Sequence, residues 1–243
     1  GSDFNSETRV VDLTESTTKP NYFLNSVNGY HGAKLGSYDL ILKILLGDLE
    51  SLSSPNYSIP NQILDMLNTK YILSDSETGK ELYTNEDALG NVWAVDSISL
   101  VDSADEILNK LKEIDVKKHA ITFSESYPSE NLNQFNSSDL LEINFNRNSS
   151  KHITYKYSAD SPQLLIFSEI YYPKGWNVYL DDNLGEYFDV NYILRGMVVP
   201  EGKHKIDFYF EPEIVKMGIN VRLISILLTF SFIVYMFYIK NKR

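Results

Sequence analysis

The chain contains no cysteine, which excludes a disulfide framework, a thiolate metal site and a cysteine nucleophile. Histidine is almost as scarce: four occur, at 31, 119, 152 and 204, and none forms an HExxH or a pair. Without them or an acidic cluster at ligand spacing, no metal and no cofactor is expected. Basic charge is also short, with 22 Lys and Arg against 33 Asp and Glu and a net charge of −11. Residues 75–106 carry nine acids and the single base Lys80, so no basic patch exists there to displace counterions from phosphates. Nucleic acid is therefore not an expected partner. GxSxG, P-loop and dinucleotide fingerprints are absent, which removes the usual support for hydrolase and nucleotide readings. The polar stretch Gly1 to Val11 has no apolar h-region, so no signal peptide is expected there.

What is present is apolar surface for a packed core, 43% hydrophobic and 13% aromatic residues, enough to exclude general disorder. One run is long. Leu223 to Ile239 is uncharged and as a helix reaches about 25 Å, close to spanning length. Lys216 and Arg222 precede it, and Lys240, Lys242 and Arg243 follow. The positive-inside rule predicts a cytoplasmic tail at 241–243, a membrane helix over 216–240 and an extracytoplasmic body.

Ahead of that helix the texture changes once. Ser37 caps a helix whose stripe is Leu40, Ile41, Ile44, Leu45 and Leu49, and Pro60 to Leu67 predicts a shorter one. Tyr71 to Leu73 and Val92 to Val101 read as strands, Ser103 to Glu106 as a capping box opening an amphipathic helix, and Ala120 to Phe123 as the next strand. This is a mixed α/β domain over 1–130. Ser124 to Asp139, rich in Ser and Asn, predicts a linker. Seven short runs follow, at 140–146, 152–158, 164–171, 176–180, 187–190, 194–199 and 203–210, predicting a β-sandwich over 139–212. The fold class is α+β: a small N-terminal α/β unit, an all-β sandwich of about seven strands and one C-terminal transmembrane helix.

Two places could carry binding chemistry. Gly29 and Gly32 let the backbone turn tightly and present Tyr30 and His31, with Lys34 beside them, at a loop tip or pack an aromatic onto the next helix. Glu169 ends an otherwise apolar central strand, followed by Tyr171, Tyr172 and Trp176. That is a carboxylate held by a tight turn, or a polar group in an aromatic pocket suited to a sugar ring, with Trp176 rather a core anchor. His204 falls on the apolar face of its strand, while His152 and His119 read as surface residues. A glycosidase using Glu169 and Asp181 would need the two carboxyls roughly 5 to 9.5 Å apart across a cleft and is disfavoured. No catalytic residue is assigned.

Taken in order, GYHGAKLGSYDLI from Gly29, ILDMLNTKYIL from Ile63, NEDALGNVWAVDSI from Asn85, FSEIYYPKGWNVYLDD from Phe167 and VNYILRGMVVPEGKHKIDFYFEP from Val190, closed by the membrane helix, resemble the C-terminal extracytoplasmic part of bacterial YfhO-type membrane proteins. That family is many-spanning and similar in layout to lipid-linked-sugar glycosyltransferases of the GT-C class, with some members linked to glycosylation of lipoteichoic acid or other envelope polymers. The resemblance implies a place in the bacterial cytoplasmic membrane and, as partners, the bilayer, an upstream transmembrane bundle and a polyprenyl-phosphate sugar or envelope glycan. It implies that the catalytic acid lies in an early extracytoplasmic loop upstream of these segments, so that this portion is noncatalytic. A membrane-anchored carbohydrate-binding or envelope-interaction module is the alternative.

Overall fold

The computed structural model describes residues 9–12, 25–27, 35–49, 62–76, 79–128 and 134–242. They fall into two compact units, the larger built from 1–145, 156–171 and 186–204 and the smaller from 146–155, 172–185 and 205–243. Strand, helix and membrane segment combine as the α+β reading expects.

In the larger unit, β1 (Arg9–Asp12), β2 (Asn25–Ser26), β3 (Thr69–Ser76) and β4 (Gly79–Thr84) form a sheet in the order β2-β1-β3-β4. The first three are parallel, and β4 returns as a hairpin on β3. Helix α1 (Gly36–Leu49) turns Ile41 and Leu42 into the core and leaves Leu40 exposed. Its Tyr38 hydroxyl donates to the Val27 carbonyl, and burial pushes that phenol up to about 12. Helix α2 (Gln62–Met66) buries Leu64 and Met66.

The apolar run 92–101 proves to be two strands. β5 (Val92–Val95) and β6 (Ser97–Val101) are separated at Asp96, whose N–H donates to the Lys118 carbonyl at 2.7 Å and whose side chain accepts the Ser137 N–H at 2.9 Å. These bonds turn the chain between two sheets. β6 pairs in parallel with β7 (His119–Phe123) through α3 (Ala104–Lys110). The helix start is capped as expected, Ser103 Oγ accepting from Glu106 N, but the Glu106 carboxylate reaches the Asp102 N–H.

β5 instead edges an antiparallel sheet ordered β13-β14-β10-β5, formed with β10 (Gln163–Ile170), β13 (Phe188–Val190) and β14 (Leu194–Val199). β10 is central, and residues 163–168 are buried on both faces. Asn191 and Tyr192 link β13 to β14 with φ of 49° and 73°, a left-handed conformation that asparagine tolerates better than most residues. Asn191 is wholly buried and bonds the backbone of Ile121 twice, N–H to its carbonyl at 2.8 Å and Oδ1 from its N–H at 3.0 Å. Asn191→Ala should therefore lower stability by about 1–3 kcal/mol, since one buried N–H loses its acceptor. Thermal unfolding of the detergent-solubilised chain checks this; a melting temperature equal to wild type would refute it.

The last sheet runs β12-β11-β15-β9-β8, from β8 (Leu140–Ser149), β9 (His152–Ala159), β11 (Trp176–Leu180), β12 (Asn183–Leu184) and β15 (Gly202–Phe210). The smaller unit holds β11, β12, residues 146–149 of β8, 152–155 of β9 and 205–210 of β15. Asp181 and Asp182, with φ of 48° and 65°, make the two-residue turn from β11 to β12. Helix α4 (Glu213–Asn241) begins two residues after β15, is long and apolar enough to cross a membrane, and has none of its most apolar stretch buried.

Candidate functional site

Alternation along β15 places His204, Ile206, Phe208 and Phe210 on one face and Lys205, Asp207 and Tyr209 on the other. Ile206 and Phe208 are fully buried. The second face would be a solvated one in an ordinary sandwich, yet Asp207 on it is 1% exposed. Its neighbours explain why. On β9, Thr154 Oγ donates to Asp207 Oδ1 at 2.6 Å and His152 Nε2 lies 2.8 Å from the same oxygen. Lys205 Nζ reaches Oδ2 at 2.8 Å. Burial alone would push this carboxyl up, but the bonds from Lys205, Thr154 and His152 outweigh it and hold the pKa below the ordinary aspartate value.

Around this charge the rings form a row. His152 stacks on Tyr209 with centroids 4.2 Å apart, and Tyr179 of β11 meets Tyr209 edge-on at 5.7 Å. Asn148 extends the network from β8 by donating to Thr154 Oγ at 2.6 Å. His152, read from sequence as a solvent-side residue, is thus a member of a built polar cluster. The available signal was the polar alternation of β15; what no spacing disclosed is that β9 supplies the histidine and threonine.

The residues singled out from sequence are placed separately. Tyr30, His31 and Lys34 lie outside the described residues. In the larger unit Glu169 accepts an ion-paired hydrogen bond from Arg9 Nη2 at 2.8 Å, while Arg9 Nη1 donates to the Ser168 and Leu67 carbonyls. In the smaller unit the Tyr172 carbonyl accepts the N–H groups of Gly175 and Trp176, and Trp176 packs on Phe210 at 5.3 Å. Gly175 is required there: a Cβ would stand 2.3 Å from the Phe210 ring and 2.9 Å from Tyr172.

Of the other histidines, His119 sits half-buried with Nδ1 2.6 Å from Ser97 Oγ and Nε2 2.8 Å from Ser99 Oγ, since the parallel register sets it beside Ser97. It is not the surface residue its lysine neighbours suggest. Burial first, and the Lys110 charge second, lower its pKa. A lowered histidine contributes stability that is complete above about 6.5 and is lost as pH falls through the folded value. His119→Asn should therefore lose less stability than wild type between pH 6.5 and 5; identical pH profiles would refute this. Asp65 and Asp189, both raised by burial, titrate in the opposite sense and cancel in the comparison. His204 is half-buried, bonded to the Glu201 carbonyl at 2.9 Å and set against Tyr157.

The described residues contain no group of three or more His, Asp or Glu arranged to hold a metal. Residues 124–222 match the family model of the bacterial membrane protein YfhO. Over this segment the chain is similar to that family. No curated protein and no solved structure matches it. The matched segment contains the whole Asp207 cluster and the Tyr172–Trp176 turn, and it ends inside α4, after the first ten residues of that helix. The upstream motifs from Gly29, Ile63 and Asn85 lie outside the matched residues.

Proposed function

We propose that this chain is the extracytoplasmic, noncatalytic portion of a multi-spanning bacterial membrane protein related to lipid-linked-sugar glycosyltransferases that act on cell-envelope glycopolymers. The observation that carries the reading is the continuity of the YfhO segment from its β-rich body into α4, a helix fit to cross a bilayer. The charges after Ile239 favour a cytoplasmic tail and an outer body. The ion pairs support a noncatalytic role: Glu169 faces Arg9, and Asp207 is held ionised, whereas a general acid needs its pKa raised toward the working pH. The body would then brace the membrane-embedded part or position an acceptor glycan.

Two measurements test this. Protease treatment of intact spheroplasts should remove the body, and its survival until lysis would refute the topology. The purified chain should turn over no lipid-linked sugar; turnover abolished by Glu169→Gln would refute the noncatalytic reading. The second reading, a membrane-anchored carbohydrate-binding module, is favoured by the row His152, Tyr209 and Tyr179, which offers ring surface beside hydrogen-bonding groups. Saturable binding of lipoteichoic acid, lost in Tyr179→Ala with unchanged melting temperature, would select it.

A further inference from the structure

The smaller unit has an edge set by its own strand ends. β15 runs out at Phe210, and only Glu211 and Pro212 separate it from α4. Two loops are fastened to that exit: the Lys151 carbonyl accepts the Phe210 N–H at 2.8 Å, and the Gly175 carbonyl accepts the Glu211 N–H at 2.7 Å. The first loop, between β8 and β9, exposes Ser150 and Lys151; the second exposes Tyr172, Pro173 and Lys174. In a chain of net charge −11 these loops carry lysines and no acid. The exit itself carries Glu211, half-buried and accepting from Asn177 Nδ2, and the exposed Glu213.

An upright α4 centred on Ser231 would bring this rim to the bilayer. From Glu213 to Ser231, the middle of the uncharged run, the helix covers roughly 27 Å, and the headgroup layer ends about 20–22 Å from the bilayer centre. The rim therefore stands a few ångströms outside the headgroups, within reach of extended lysines and of a tyrosine that favours the interface.

We propose that the rim formed by Ser150–Lys151 and Tyr172–Lys174 seats the smaller unit on anionic phospholipid headgroups, Lys151 and Lys174 meeting the phosphates and Tyr172 entering the interface. Each lysine near an anionic surface contributes about 1 kcal/mol, so the pair favours the seated arrangement by a factor of roughly 30. The seat needs α4 to cross a bilayer and is independent of any glycan role.

The absence of cysteine makes the test direct. Ser150→Cys, Pro173→Cys and Leu184→Cys, each labelled with an environment-sensitive fluorophore, are reconstituted as the full chain in vesicles of zwitterionic and anionic phospholipid at 70:30. Leu184 is exposed and pairs with Tyr179, about 10 Å along β11 from Trp176. At positions 150 and 173 aqueous iodide should quench several-fold less than at 184, and a headgroup-nitroxide lipid should quench more. Adding Lys151→Glu with Lys174→Glu, or omitting the anionic lipid, should restore iodide access. A probe at Phe230→Cys that stays shielded throughout shows that α4 remains inserted, which separates failure of the seat from failure of membrane anchoring. Equal iodide access at 150, 173 and 184 would overturn the seat, and insensitivity to charge reversal would overturn the role of the lysines.

Discussion

Asp207→Ala should destabilise the detergent-solubilised chain by about 1–3 kcal/mol, the usual result of leaving buried hydrogen-bonding groups without their partner. The Asp207 side chain is 2% exposed and receives His152, Thr154 and Lys205, so its loss leaves the hydroxyl and the imidazole without their shared acceptor. Asp207→Asn keeps the volume and one acceptor and should cost less, because hydrogen bonds to a charged group are roughly twice as strong as neutral ones. The pH dependence has a definite sign. A carboxyl held below 3.8 contributes stability that is complete above that value and is lost as pH falls through the folded pKa. Wild type should therefore show an acid-sensitive component below about pH 4 that Asp207→Asn lacks. Chemical unfolding of both variants, followed by near-ultraviolet circular dichroism from pH 2 to 7, measures this. Wild-type stability in Asp207→Ala would mean that the cluster is not structural, leaving contact with a ligand as its role.

Trp176→Ala should cost about 3 kcal/mol, the lower end for a large aromatic because the residue is half-buried rather than fully enclosed. Its ring contacts Phe210, the last residue of β15, and so stiffens the root of α4. Gly175→Ala should act on the same contact from the other side: with the added methyl 2.3 Å from the Phe210 ring, something must shift, at about 1–3 kcal/mol. Both variants should lower the melting temperature, and both should also raise protease cleavage near Pro212 relative to a control such as Leu184→Ala. If cleavage near Pro212 stays at the wild-type rate while the melting temperature falls, Trp176 is a core residue with no part in holding the helix root.

Reading the chain in one dimension succeeded where a local pattern suffices. A strand apolar on both faces is central in any sheet, and β10 is; Ser103 caps α3 because the capping bond closes within one helical turn. It went astray where the partner is remote. The run 92–101 carries one unbroken strand signal, and only the bonds that Asp96 donates to the Lys118 carbonyl and accepts from the Ser137 N–H show that it serves two sheets. His119 beside two lysines looks exposed until the register brings Ser97 and Ser99 onto its ring.

The sequence alone determined that this protein is an acidic, cysteine-free α+β chain with a helix long and apolar enough to cross a membrane, because composition, alternation and an uncharged run are properties of short stretches. Tertiary structure decided which carboxylates are engaged and by what. Glu169 meets Arg9 from 160 positions away, and Asp207 meets His152 from 55. A charge buried at low dielectric must find its counter-charge in space, and strand pairing, which no local spacing encodes, chooses the residue that arrives there.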